Sequence, residues 1–365
     1  MPSVASILTG KLPLFAGEKH EPLPLDPTNL TLAEVLSAAG YDAGAVVDNG
    51  LLNRSAGWDQ GFARYVCIDR DEASETFRLA VEWLDRPRRE PIFLWVHFLD
   101  PHSPYKDRPA YHERFREPAD TRTWIKSAEV DDDKVPWDAA QTRNAVNLYD
   151  GEVEWTDRHV GLLLDRLLAR PRAGRALIVF SADHGEEFLE HGHKSHGYDV
   201  YDENIRVPLI VRPPASAGAT GTTRIAAQVR LIDLFPTILD YAGLPPRAVQ
   251  GRSLRPLIER SPGWTEQPAL SQASSGDFAA RTGKAKLMFL HAGAAYRWLD
   301  LARDPREARP TSWDDVPAAD RAEAARLKGL LDAYVAAFGM DKGQRWRAVD
   351  PATLDALKSL GYVRD

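Results

Sequence analysis

Short runs that are apolar at nearly every position, separated by stretches with helical periodicity, constrain this chain most. Residues 92–99 form such a run, and a strand apolar on both faces suits a parallel sheet covered on both sides. Residues 176–180 and 207–211 read as further strands, and 43–47 as a shorter one ending at Asp48-Asn49-Gly50. Between them the spacing predicts helices. Residues 31–40 are apolar at Leu32, Val35, Leu36 and Ala39 and stop at a glycine, and 71–84 place Ala73, Phe77, Ala80, Val81 and Leu84 on one face. Residues 144–168 are a long amphipathic helix, and 231–241 close at Gly243. Strands alternating with helices imply an α/β fold with a doubly wound, mostly parallel sheet. Such sheets gather their ligands at the carboxyl ends of the strands.

The pattern breaks twice. Residues 106–136 are charged, spotted with aromatics and without period, and carry an acidic patch at Asp131–Asp133. A segment of that length reads as a lid or a surface excursion. After residue 262, short strands at 269–272, 278–282, 286–290 and 296–299 predict a small antiparallel sheet, completed by helices at 318–338 and 351–360. The expected division is a catalytic α/β domain over 1–262 and a small α+β subdomain over 263–365.

A net charge of −7 on 365 residues argues against nucleic acid as a partner. It leaves room for a small anionic substrate beside a bound cation. The one cysteine, Cys67, excludes an intrachain disulfide and a thiolate metal cluster. No segment is long and apolar enough to span a bilayer, and the N-terminus lacks the pattern of a signal peptide. Taken as complete, the chain is expected in the cytoplasm; with a segment ahead of it, in the periplasm or anchored to a membrane.

The chemistry concentrates after the strand at 176–180. Asp183 and His184 are adjacent, so a bend there turns a carboxylate and an imidazole toward one point, a pair suited to Mg²⁺, Mn²⁺ or Zn²⁺ and less to Ca²⁺. His191, His193 and His196 follow within six positions, with Lys194 adding a cation. One of these imidazoles could act as general acid toward a leaving alkoxide; the alternative is an exposed histidine loop. Asp100-Pro-His-Ser-Pro104 leaves the strand at 92–99 with two prolines that fix the loop and present His102, either to substrate or as a cap on a neighbouring backbone group. His97 lies within the strand and reads as a satisfied core residue.

Together these segments resemble the sulfatase family of the alkaline phosphatase superfamily, nearly end to end. Pro2-Ser-Val-Ala-Ser-Ile-Leu-Thr-Gly10 is similar to the tail of that family's nucleophile signature. Trp58-Asp-Gln-Gly-Phe62, Pro101-His-Ser-Pro-Tyr105, Tyr149-Asp-Gly-Glu-Val153, Ser181-Ala-Asp-His-Gly-Glu186 and Arg206-Val-Pro-Leu-Ile-Val211 continue the likeness in order. The resemblance implies a divalent metal ion (Ca, Mg, Mn or Zn) on Asp183 and His184, with His102 and His196 on the ester oxygens or leaving group. It implies hydrolysis of a small anionic ester, by attack of a metal-activated hydroxyl and breakdown of an enzyme ester.

The sequence departs from the family pattern at its start. The family nucleophile precedes the signature proline by two residues, and only Met1 stands ahead of Pro2. Val4 occupies a position where many sulfatases have arginine. The expectation is therefore an N-terminally incomplete form, of very low activity by itself, with the nucleophile and the first metal aspartates upstream. Phosphodiester or phosphonate ester hydrolysis, phosphoglycerol transfer, and a non-catalytic anion-binding remnant are the competing readings.

Overall fold

The structure, a computed structural model, describes residues 1–12, 24–87, 91–117, 122, 124–130, 135–218 and 221–340. The expected helix at 351–360 and the acidic patch at Asp131–Asp133 lie outside the described residues. The chain opens with α1 (Pro2–Thr9), a helix the sequence reading did not assign; proline at its first turn and Gly10 in the left-handed region at its end set its limits. Next come α2 (Leu32–Ala38) and β1 (Asp42–Asp48). Thr31 and Glu34 form a reciprocal cap on α2, with Glu34 N on Thr31 Oγ1 at 3.1 Å and Thr31 N on Glu34 Oε2 at 2.8 Å.

β1 is the centre of a three-stranded parallel sheet between β2 (Arg64–Ile68) and β3 (Ile92–His97), with Val46 opposite Val66 and Val96. Ala43, Ala45 and Val47 pack against Trp58, Phe62 and Tyr65 in the main core. Gly44, on the other face, accommodates the indole of Trp83 from α3 (Ala73–Asp85); a Cβ there would fall 2.1 Å from the ring. The run at 92–99 departs from expectation. Every residue of β3 is only half-buried, because β3 pairs along one edge alone among the described residues.

The segment expected to lack order carries short elements: β4 (Tyr105–Lys106), α4 (Pro109–His112), β5 (Trp124–Ile125) and α5 (Ser127–Val130). β4 pairs with β5, and Tyr105, Ile125, Val130 and Trp137 cluster on Ala145 and Leu148 of α6 (Ala139–Leu168). α6 begins five residues before the expected start. Its polar first turn hides the periodicity, and Asp138 and Gln141 cap it reciprocally.

β6 (Ile178–Ser181) leads to the short hairpin strands β7 (Glu187–Phe188) and β8 (Lys194–Ser195), then α7 (Asp202–Ile205) and β9 (Leu209–Arg212), which pairs antiparallel with β6. After α8 (Leu234–Tyr241) and α9 (Arg255–Ile258), five antiparallel strands follow in chain order: β10 (Ala269–Gln272), β11 (Phe278–Arg281), β12 (Ala285–Leu290), β13 (Ala295–Asp300) and β14 (Thr311–Ser312). α10 (Arg321–Met340) buries Ala324, Leu327 and Leu331 against this sheet. The fold is α/β, a parallel sheet with helices plus a C-terminal antiparallel sheet. Among the described residues no helix is long and apolar enough to cross a membrane.

Buried charge ties the two sheets together. Lys286 of β12 is fully buried and its Nζ reaches Asp202 Oδ1 at 2.8 Å, Glu307 Oε1 at 2.5 Å and the Val200 carbonyl at 3.0 Å. Arg281 of β11 grips the same Asp202 with two bonds of 2.8 and 2.7 Å. Replacing Lys286 by methionine is expected to destabilise the protein by about 3–5 kcal/mol in urea unfolding, because buried Glu307 loses its cation and Asp202 keeps only Arg281.

A second buried cluster underlies the loop that carries His102. Arg108 joins Asp100 (2.5 Å), Glu72 (2.9 Å) and Glu152 (3.7 Å), and Lys106 pairs with Asp71. Four carboxylates thus face two cations, with Asp48 close behind Asp71. Burial first, then the neighbouring carboxylates, raise Glu152 well above the usual range and lift Asp100 to about 6. Both groups hold protons more tightly folded than unfolded, so their contribution is full at low pH and is lost as pH rises from the ordinary 3.8 of Asp100 through about 6. Glu152→Gln is expected to lose less stability than the parent protein between pH 5 and pH 8, measured by urea unfolding. Equal pH dependence in the two proteins would refute the assignment.

Candidate active site

Asp183 and His184 follow the end of β6, where the chain turns under the backbone of α7. The next residue must be glycine. Gly185 N donates to the Asn204 carbonyl at 2.9 Å, and a Cβ at Gly185 would stand 1.9 Å from the Glu203 carbonyl oxygen. That close approach fixes the pair. Asp183 Oδ1 lies 3.8 Å from His184 Nε2, and the two side chains keep 25% and 30% of their surface open, enough for a ligand to reach them.

The predicted residues come together. The His184 ring stacks on that of His196 with centroids 3.9 Å apart, and His196 meets His102 edge-on at 5.1 Å. Three chain segments therefore meet around Asp183: the turn after β6, the end of β8 and the loop after β3. The His102 loop is buried, and its Nδ1 lies 2.6 Å from the Ser103 carbonyl. α1 also begins here, since the Met1 amino group is an electrostatic neighbour of Asp183, His97 and His196.

His196 owes its orientation to Glu186, which the sequence reading left without a role. Nδ1 of His196 is 3.0 Å from Glu186 Oε1, so the Nε2 edge is turned away from that carboxylate. Burial raises Glu186 to about 7. Burial, then the neighbouring His102 ring, brings His196 down to about 3, so the ring is neutral at ordinary pH. Ser195, with φ of +70°, makes the turn that sends Lys194 inward and His196 toward the site.

The donor set fits a divalent cation. Burial alone would raise the Asp183 carboxyl, but its charged surroundings, the neighbouring His184 foremost, outweigh it and keep the group ionised, below the usual carboxylate range. His184 Nδ1 faces the Gly185 carbonyl at 2.9 Å. A carbonyl only accepts, so Nδ1 carries the proton and Nε2 keeps a lone pair toward Asp183. Burial pushes His184 down, which maintains the neutral ring a metal requires. His97 corrects the sequence reading: its Nδ1 is buried with no hydrogen-bond partner, and its charge is coupled to Asp183 and His184. A satisfied core histidine would not leave that nitrogen bare.

The other two histidines of the cluster serve elsewhere. His191 lies flat on Tyr201 at 3.6 Å with Nδ1 on Glu203, and His193 stacks on Tyr198. Lys194, expected to add positive charge, is 2% exposed and points into the core. Its Nζ donates to the Glu129 and Val135 carbonyls at 2.8 and 2.9 Å, with the Trp137 ring 4.8 Å away. The histidine-bearing loop is held from beyond by the C-terminal sheet, where Ser274 donates through N (2.8 Å) and Oγ (2.5 Å) to the Gly197 carbonyl.

Comparison with known proteins identifies the family. Residues 1–244 match the model of the sulfatase family, and residues 190–319 match that of the N-sulphoglucosamine sulphohydrolase C-terminal region. An ulvan-active sulfatase of Formosa agariphila is 24% identical over 302 residues, 74% of this chain and 57% of that protein. An N-acetylglucosamine-6-O-sulfatase of Bacteroides thetaiotaomicron is 32% identical over 165 residues, 41% of this chain and 29% of that protein. Bovine arylsulfatase K matches over 48% of this chain and 37% of its own length, so the chain spans little more than half the length, or less, of these relatives. Among solved structures, the phosphonate monoester hydrolase of Agrobacterium radiobacter superposes with a TM-score of 0.72 at 19% identity, covering 92% of this chain and 86% of that one. A protein solved in complex with its substrate D-glucosamine-2-N,6-O-disulfate superposes with a TM-score of 0.71 at 19% identity, over 94% and 90%. With two thirds of its length matched by one family model, the chain belongs to the sulfatase family.

Proposed function

We propose that this chain carries a metal- and ester-binding sulfatase site and acts in the hydrolysis of sulfate monoesters. The observation that supports this best is the contact series Asp183–His184–His196–His102, drawn from three separate segments. A carboxylate and an imidazole suited to a divalent ion stand beside two imidazoles suited to ester oxygens.

In this reading Asp183 and His184 hold the ion, with Mn²⁺, Mg²⁺ or Zn²⁺ favoured over Ca²⁺ by the imidazole donor. When bound, the ion supplies Lewis-acid polarisation of the ester group and lowers the pKa of an attacking hydroxyl. The chain's own residues do the rest. His102, whose Nδ1 is engaged by the Ser103 carbonyl, orients the anionic group. His196, held at Nδ1 by Glu186, directs its opposite nitrogen to the ester bridge, where a proton must reach the departing alkoxide. Buried walls around Glu186, His102 and His196 keep bulk water from competing.

A panel of 4-nitrophenyl sulfate, bis(4-nitrophenyl) phosphate and 4-nitrophenyl phenylphosphonate, with Mn²⁺, Zn²⁺ or Ca²⁺ supplied, tests the reading. The sulfate ester is expected to have the highest kcat/KM, by at least about tenfold. His196→Gln is expected to lower kcat on it by about 10²–10⁴, and Glu186→Gln to lower it less. A lead for the phosphonate or phosphodiester would assign the site to phosphorus chemistry instead, to which the Asp183–His184 donor pair is also suited. Absence of turnover on all three would leave an anion-binding role.

A further inference from the structure

A second group of metal-ligating side chains, Glu187 buried and the other two half-buried, takes no part in the chemistry above. Glu187, His191 and Glu203 each present one donor atom, and the three atoms lie within 4.8 Å of one another. Glu187 is fully buried. Its Oε1 accepts the amides of His191 (2.8 Å) and His193 (3.0 Å), whereas its Oε2 is buried and has no N–H or hydroxyl donor. Beside it stands Asp199, 6% exposed, close enough for the two carboxyl groups to hydrogen-bond. Asp199 Oδ1 is satisfied by Tyr201 N (3.1 Å) and Asn204 Nδ2 (2.8 Å), and Oδ2 is again buried without a donor.

Carboxylates have nothing to donate to one another. Two bare oxygens in a buried place need either a shared proton or a cation between or beside them. The nearby basic groups are already engaged: Lys286 serves Asp202 and Glu307, and Arg281 serves Asp202. Among the described residues no lysine or arginine pairs with Glu187, Asp199 or Glu203. What faces Glu203 is the ring of His191, fixed flat on Tyr201. An imidazole held by stacking and surrounded by carboxylate oxygens is a donor set for a borderline divalent ion.

We propose that Glu187, His191 and Glu203, with Asp199 behind them, form a second divalent-cation site, distinct from Asp183–His184 and suited to Zn²⁺ or Mn²⁺. Its role is to brace the active site. Glu186 and Glu187 are consecutive, one bonded to His196 and the other to this group. Glu187 also sits opposite Ser195 in the β7–β8 pair, the residue just before His196. An ion here ties the β7–β8 hairpin to α7 and so holds the carboxylate that aims His196.

The test uses the full chain, stripped with EDTA, then dialysed against Zn²⁺ or Mn²⁺ and washed. Asp183→Asn/His184→Gln, which leaves the new site intact, is expected to retain one ion per chain by elemental analysis and to melt a few degrees higher with the metal than without. His191→Gln/Glu203→Gln is expected to lose both effects while keeping its circular dichroism spectrum. Failure of Asp183→Asn/His184→Gln to retain an ion or to gain stability would overturn the proposal, whatever the fate of the other variant. So would a Glu187→Gln protein that melts higher than the metal-free parent and still binds the ion, since a shared proton would then account for the bare oxygens. None of these readouts depends on turnover, so the proposal stands or falls apart from the sulfatase reading.

Discussion

Bringing imidazoles into contact carries an electrostatic restriction that governs this site. The His184 and His196 rings stack 3.9 Å apart, and burial resists charging both. Beside these rings stands Asp183, whose carboxyl is held below the usual carboxylate range, while burial pushes His184 and His97 down. Neutral rings with fixed tautomers are what a metal and an ester oxygen need. The Gly185 carbonyl sets the tautomer of His184, the Ser103 carbonyl that of His102, and Glu186 orients His196. Each imidazole is thus aimed by a partner on its far side.

That arrangement would not hold without the C-terminal sheet. β11 and β12 clamp Asp202 at the start of α7, and α7 in turn lies on Gly185 in the Asp183–His184 turn. Ser274 secures Gly197 immediately after His196. The sheet contributes no predicted site residue, yet it supports both flanks of the histidine loop. The two parts of the chain function as one unit held by buried polar contacts.

Much of this was legible in the sequence, and the omissions have physical causes. The strand–helix alternation and the four-strand pattern after residue 262 follow from hydrophobic period, which is local. Asp183, His184, His102 and His196 were legible because they sit in loops at strand ends, where polar residues among apolar runs stand out. Glu186 and Glu187 were not separated, since nothing in consecutive glutamates says which faces His196 and which faces His191. Alternation beyond a strand end was the available hint. His97 and Lys194 were misread for a shared reason: their surroundings are built from distant segments, and a sequence window shows none of them. The early start of α6 was hidden because capping chemistry, rather than apolar spacing, defines its first turn.

Lys194 has a mechanical consequence. Its ammonium grips the carbonyls of Glu129 and Val135, in the segment covering α6, while its backbone lies two residues before His196. Movement of that outer segment would pull on the same short strand that presents the imidazole. Substitutions around Glu129 and Val135 can therefore shift His196 without touching it, with the lysine as the lever.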